Sequence, residues 1–585
     1  VIAVYFLFLG TYLAFTKEIP APGGDIREAV VDSNFKLFNP VLELNSDAER
    51  KVTSLLFAPL YTVTFPDYLN DATSDPILKP VLLSGIPQWQ DLTGNTPDNQ
   101  HKVLRFELKN GIKWSDGSDI TMDDVEYTFD RLKETNANSE FKDVFSKVDF
   151  VRVSANQFEL HSSTPNPQLI NLANFSPIPK DFFNSQSTDQ LYTSFNSSKP
   201  LVTSGYFTFT TGQVKDPDAN DNVLHDNPIR EDGSEDFKTV ILNRNPIQNT
   251  GENINVDRYI FTRYDNLLDV PGAGSNSLQT ASKNGKVDVF TSSLGPSSTT
   301  SPSDLQNATN LNQQVSGTNT YYTLYLNIKR NDVFLNQQLR KYLICSLIDY
   351  QAGDSYFGIQ DIPKDKRLIP IQFGQSYTPD CPNDAKDVLD GKNFKLQEDP
   401  TTGIKTVLSC GKKCTPISKL SMIGFDDSDS LITDLQAFLR DIGMPADVYK
   451  SSDDVQQRLT NKNYSLAFLP VTVVSRDPYP IFGSKARDLS QIRLNNQKSI
   501  LDDKVEDNLY AYSISGLTDT TSQSKLIDFF KQEFVSINLF QSEFETNYSN
   551  IVNNISSGVT TLSNLNQQLY LSIPQWYVQT KREWK

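Results

Sequence analysis

Apolar and polar positions alternate from Val103 to Leu108, the pattern of a strand with one buried face. Asn110-Gly111 and Asp116-Gly117 follow as turn dipeptides, because Asn, Asp and Gly tolerate the backbone that tight turns need. Thr121 then predicts a helix N-cap, and Asp124 completes a capping box. Met122, Val125, Phe129 and Leu132 recur at helical spacing and form the face that should be buried. A second helix is predicted from Leu431 to Ile442, with Leu431, Leu435, Phe438, Leu439 and Ile442 on one stripe and Gly443 as its stop. A third spans about 526–535 and precedes a strand-like run at 537–540. The Ser/Thr-rich stretch 292–303 reads as a surface loop. Both periods recur along the chain, without an internal repeat, which predicts an α/β protein.

The first residues break this pattern. Val1 to Phe15 is continuously apolar and is followed by Lys17, Glu18 and a Pro/Gly stretch. Spanning a bilayer takes about 20 apolar residues, more than this run supplies. The segment is read as an uncleaved hydrophobic membrane anchor over 1–16, with 17–24 as a linker and the bulk of the protein outside the cell membrane. The hydrophobic region of a signal peptide is the alternative reading.

The chain of 585 residues, 38% hydrophobic and 21% charged, is too long for one core. Cores stop growing at roughly 250–300 residues, so two or more lobes are expected. A net charge of -17 opposes any nucleic-acid role and reads as solubility. The 3 histidines, His101, His161 and His225, are too scattered for a transition-metal site or histidine base chemistry. Asp216, Asp218 and Asn220 have calcium-loop spacing, but Asp221 and Asn227 stand where Gly and Glu are needed, so a solvated insertion is expected. Cys345 lies in an apolar helix-like run and reads as a buried free thiol. Cys381, Cys410 and Cys414 lie in polar sequence, where two of them are expected to form one disulfide of open pairing. No nucleophile elbow, zinc-protease motif or phosphate-binding glycine loop is present, so no catalytic residue, metal or cofactor is nominated and an enzyme is disfavoured.

The run from Leu104 to Leu132 resembles the signature of the bacterial extracellular solute-binding proteins of family five, the oligopeptide, dipeptide and nickel receptors of ABC importers. The matching parts are Lys109 to Gly111, Trp114, Asp116-Gly117 and Thr121 to Val125. Other segments resemble the family in the same order: Phe38 to Tyr61, Ser176 to Phe183, Ser204 to Phe209, Ala281 to Phe290 and Tyr325 to Asp349. The resemblance covers nearly all of the chain from about Asp25 onward.

It implies a two-lobed, periplasmic-binding-protein-like α/β fold that shuts over a ligand by hinge motion. Lobe one would occupy 25–265, with an inserted subdomain at about 60–175, and lobe two 266–544; residues 545–585 would return to lobe one. The implied function is capture of peptides or peptide-like solutes for the permease of an ABC importer, by a monomer at the extracytoplasmic face of the membrane. The alternatives are a surface sensor, a chaperone, or a receptor for an oligosaccharide, haem or a metal chelate. Family members hold an extended peptide by its backbone, as an added strand. That places the ligand on Pro470, Val471, Thr472, Val474, Arg476 and Asp477 of lobe two and on Leu44, Asn45 and Ser46 of lobe one. Val474 stands where peptide-binding members carry an Asp for the peptide's amino group. Either Asp477 takes that role or the ligand has no free amine there. Asp116, Thr121 and Asp124 are expected to be turn and cap residues without contact to the solute.

Overall fold

Regular structure in the computed structural model opens with β1, Thr16–Ala21, and β2, Asp25–Val30. The structure describes residues 15–31, 35, 38–42, 47–64, 76–90, 101–134, 145–167, 169–183, 201–209, 213–215, 224–226, 229–230, 237–247, 249, 251–266, 277–294, 311–327, 333–351, 380–424, 429–461, 463–472, 503–514, 519–533, 536–549, 552, 573 and 576–584. Along β2 the inward positions are Ile26, Glu28 and Val30, so the strand's period of two carries a carboxylate into the core. Helix α1, Asp47–Leu56, covers the strand with Ala48, Val52, Leu55 and Leu56. Its C-terminal end is met by Gly205, whose N–H reaches the Leu56 carbonyl at 2.8 Å. A Cβ on Gly205 would press on the Leu55 carbonyl and lie 2.7 Å from the Leu56 carbonyl carbon, so only glycine permits this approach.

The expected strand at Val103 is β3, Val103–Glu107, which pairs with β4, Gln157–Ser162. With Gln88–Trp89 and Val148–Arg152 they form a separate four-stranded antiparallel sheet. Phe158 stacks on both Phe106 and Phe150, at 4.6 and 4.8 Å between ring centres. Helix α2, Met122–Leu132, starts after Thr121 and buries Met122, Val125, Phe129 and Leu132 as the periodicity predicts.

Among the described residues the main sheet has eleven strands. Its first part joins β5, Phe237–Arg244, to β6, Arg258–Arg263, and β6 to β2 in parallel. Two further strands carry the sheet onward: β7, Val289–Leu294, beside β2, and the 15-residue β8, Asn312–Leu326. Ser292 to Leu294, expected as loop, belong to β7. Their serines mimic loop composition, but the strand's partners, not its side chains, fix it.

Helix α3, Gln337–Gln351, precedes a three-stranded antiparallel sheet of β9, Phe394–Glu398, β10, Lys405–Cys410, and β11, Cys414–Pro416. The second part of the main sheet then forms: β12, Leu420–Gly424, α4, Asp429–Asp441, strand Ala446–Tyr449, α5, Ser452–Asn461, and β13, Leu466–Thr472. Gly443, at φ +80°, ends α4 as expected. Helices α6, Asp503–Ile514, and α7, Thr520–Glu533, lead into the 13-residue β14, Ser536–Tyr548, and the chain ends in β15, Gln579–Trp584. Leu466 and Phe468 of β13 pack on the side of α3 and α4, with Leu343 and Leu435. Ala467 and Leu469 pack on the opposite side with Leu509 and Phe530 of α6 and α7. Both faces of this sheet are therefore covered, as a parallel-rich α/β layer requires.

Two further expectations, the N-terminal linker and the cysteines, are revised. Residues 16–21 are not anchor and linker: β1 pairs along its whole length with β15, from Thr16 opposite Trp584 to Ala21 opposite Gln579, and Thr16 is buried. Residues 1–14 lie outside the described ones, and among the described residues no helix is long and apolar enough to cross a membrane. The calcium-spaced residues Asp216, Asp218, Asn220 and Asp221 fall in sequence between the strands of a short ribbon, Gln213–Lys215 with Leu224–Asp226, and with Asn227 they lie outside the described residues, so that expectation is not tested. Finally, Cys345 is not a free thiol. It is bonded to Cys381, and Cys410 is bonded to Cys414. Cys345 is buried in α3, but its apolar setting says nothing about a partner 36 residues away.

Cross-linking that interval removes loop entropy from the unfolded chain. The variant Cys381→Ser is expected to lose about 3–4 kcal/mol of stability in urea unfolding. Unreduced wild-type protein, once unfolded, should show no thiol reactive to a thiol reagent; two reactive thiols per chain would contradict one of the bonds, and four would contradict both.

Candidate ligand-binding site

The two parts of the main sheet meet at β7, β8 and β14. Strand β7 touches β2 through only two registered pairs, Val289 with Glu28 and Phe290 with Ala29, but pairs with β14 over its full length. Strands β8 and β14 run antiparallel across both parts, and their register breaks in the middle. Gly317 opposes Glu543 and Tyr321 opposes Gln541, so β8 advances four residues while β14 advances two. The extra residues form a bulge, which bends a ladder and weakens its pairing locally. On one side of the break, Asn312 to Gly317 pair with the part of β14 that also pairs with β7; on the other, Tyr321 to Leu326 lie between β14 and β13.

A buried ionic network fastens β7 to lobe one. The Lys51 ammonium, on α1, donates to Glu28 Oε1 at 3.1 Å and to the Thr291 carbonyl at 3.2 Å. The other Glu28 oxygen accepts the Tyr259 hydroxyl at 2.6 Å, and the Thr291 hydroxyl donates to Oε1 at 3.0 Å. Side chains of Lys51 and Glu28 are 4% and 0% exposed, so the charges survive burial only through these partners. One residue outside the core, Arg27 forks onto both oxygens of Asp288, at 2.9 Å each, immediately before β7. Sequence reasoning missed this network. Its signals were a lysine inside the apolar stripe of α1 and a glutamate at an inward position of β2.

The expected lobe-two contact lies on β13. Leu466 to Phe468 are flanked on both sides, by β8 and by β12, whose pairing ends at Gly424 opposite Phe468. From Leu469 to Thr472 the strand continues beside β8 alone among the described residues. Its far edge there offers main-chain groups to an added strand, and Pro470, lacking an N–H, can offer only its carbonyl. Beneath it, burial pushes the Tyr325 and Tyr464 hydroxyls well above the usual phenol range, so both stay neutral donors. Pro470, Val471 and Thr472 are thus placed in strand backbone. Leu44, Asn45, Ser46, Val474, Arg476 and Asp477 lie outside the described residues.

The signature segment holds itself together. Asp124 accepts the Thr121 N–H at 2.8 Å, closing the capping box, and its other oxygen accepts the Lys180 N–H at 2.9 Å. Asp116 accepts the Ser118 N–H and hydroxyl at 3.0 and 2.6 Å. A cleft of about 480 Å³ beside them is lined by Trp114, Asp119, Asp123, Lys180 and Phe182; Lys113 pairs with Asp119 and Arg152 with Asp123. The Arg152 guanidinium holds the Asp123 carboxyl below the usual range. Among the described residues no cluster of side chains suited to a metal ion is found.

With this geometry in hand, the chain was compared with known proteins. The family model described as "Bacterial extracellular solute-binding proteins, family 5 Middle" matches residues 89–488. No curated protein matches. Among solved structures, the oligopeptide-binding protein AppA from Bacillus subtilis, in complex with a nonapeptide, aligns at 14% identity and TM-score 0.58, covering 96% of this chain and 100% of its own. NikA from Brucella suis, in complex with Fe(III)-EDTA, aligns at 14% identity and TM-score 0.63, covering 95% and 100%. The periplasmic EDTA-binding protein EppA aligns at 16% identity and TM-score 0.62, covering 97% and 98%. At such identities these likenesses speak for the fold.

Lys51→Met leaves Glu28 buried without its cation and is expected to cost about 3–5 kcal/mol in urea unfolding. Adding Glu28→Gln should recover part of that loss, because the stranded charge is gone. A single variant as stable as wild type would show that the pair does not secure β7.

Proposed function

The chain belongs to the bacterial extracellular solute-binding proteins of family 5, and from that premise we propose that it captures peptides or peptide-like solutes between its lobes for an ABC importer. The observation that carries the reading is the edge of β13 beyond Gly424, lying on the lobe-two side of the register break in β8 and β14. A peptide extends such an edge as an added strand, through main-chain bonds that ignore side-chain identity. Leu469 to Thr472 supply this edge, with Val474, Arg476 and Asp477 continuing it and Leu44, Asn45 and Ser46 closing from lobe one. Asp477, in place of an acid at Val474, meets the ligand's amino group. The protein works as a monomer, and the solute passes on unaltered.

The lobes rotate about the break. Lobe one is held to β7 by the Lys51 and Arg27 contacts, and the bulge is the place where pairing yields at least cost. Ligand contacts both lobes only in the shut state, so binding shifts the population toward it. Membrane attachment is by the apolar segment ending at Phe15, which is 60% exposed while its neighbour Thr16 is already paired. Such an attachment has no slack, and the body stands directly on its anchor.

A thermal-shift screen with peptide pools, oligosaccharides and metal chelates tests the reading. A bound peptide at a hundred times its dissociation constant should stabilise the protein by about 2.7 kcal/mol and shrink its radius of gyration in solution scattering. Acetylating the peptide's amino terminus should weaken binding to wild type but not to Asp477→Asn. Stabilisation by a sugar or chelate alone, with none from any peptide, would defeat the proposal.

A further inference from the structure

The three-stranded sheet of lobe two ends in a tight hairpin. Strands β10 and β11 meet at the bonded pair Cys410 and Cys414, and Gly411, Lys412 and Lys413 form the exposed tip. The Cys410 N–H donates to the Asn393 carbonyl at 2.7 Å, which brings Lys392 alongside, and Lys395 follows on β9 opposite Leu408. All four lysines are exposed, and among the described residues none of their ammonium groups is in an ion pair. Neighbouring Lys386 and Lys419, by contrast, pair with Asp384 and Asp447. The carboxylate within the adjoining turn, Asp390, accepts the backbone N–H groups of Lys392, Asn393 and Phe394 and is spent on shaping that turn.

Four unpaired cations on a cross-linked tip stand out in a chain of net charge -17. We propose that this tip is an electrostatic docking surface for the anionic headgroups of the membrane the receptor stands on. The chemistry favours lipid over a protein pocket. The tip carries only lysines, which are flexible point charges, and it lacks the aromatic and arginine anchors on which protein interfaces rely. Charge is screened over about 8 Å at physiological salt, so the acidic bulk of the body does not cancel the tip's attraction at close approach. Docking would lay lobe two against the bilayer in a defined orientation. It is independent of which solute the cleft holds.

Vesicle flotation of the full chain tests it, with phosphatidylcholine vesicles and with vesicles containing phosphatidylglycerol. The apolar N-terminal segment can enter both, so the ratio of the two partition coefficients is the quantity read. Each lysine at the surface is worth about fivefold, so Lys392→Gln, Lys412→Gln and Lys413→Gln together should lower that ratio on the order of a hundredfold at low salt. High salt should do the same to wild type. Peptide-induced thermal shifts should be unchanged in the triple variant, which separates failure here from failure of the solute reading. An equal preference for both vesicles in wild type, or an undiminished preference in the triple variant, overturns the proposal.

Discussion

One buried cation decides how the lobes are joined. Lys51 sits in the apolar stripe of α1, where an ammonium without partners would cost several kcal/mol. Its partners come from three separate places: Glu28 on β2, Tyr259 through that glutamate from β6, and Thr291 on β7. The charge is therefore satisfied only when the crossing strand is seated on lobe one. Since β7 and β2 share just two registered pairs, this network is what makes the junction firm. The register break between Gly317 and Tyr321 lies away from this network, in the pairing of β8 with β14, and that is why the proposed rotation is placed there.

An open strand edge is a hazard in most proteins, because it templates pairing with other chains. Here, among the described residues, β13 is unpaired on its far side only over its last residues, beyond the end of β12. Pro470 within it removes a donor, which blunts pairing by an arbitrary strand while leaving the carbonyls available. Tyr325 and Tyr464 are buried in the core that Leu469 joins and, held neutral by burial, add no charge there.

What was legible in the sequence follows from the range of each interaction. The faces of α2 and α4 were readable because their burial repeats every three or four residues, within the sequence window itself. The capping box at Thr121 and the turn at Asp116 were readable for the same reason. Pairings across long stretches were not. Nothing near Thr16 announces Trp584 as its partner, and so a strand looked like a linker. Cys345 resembled an inert core thiol because its apolar helix is real, while Cys381 arrives from outside that pattern. Of the candidate site, Pro470 to Thr472 were proposed from the family resemblance and lie in strand backbone, whereas the ionic network around Lys51 emerges only when β2, α1, β6 and β7 are assembled.

The signature segment shows why family and ligand are read from different residues. Trp114, Asp116, Thr121 and Asp124 spend their polar groups on one another and on Lys180 and Ser118, so their constraint is local and structural. Such residues identify the fold whatever it carries. A receptor that grips main chain leaves few side chains to declare its ligand, since the groups doing the binding are present in every peptide bond. The informative exceptions are positions where a charge must be met inside a closed cleft, because an unmet charge there is expensive. Val474 is one such position: an apolar residue there moves the burden of an amino group onto Asp477 or removes it from the ligand.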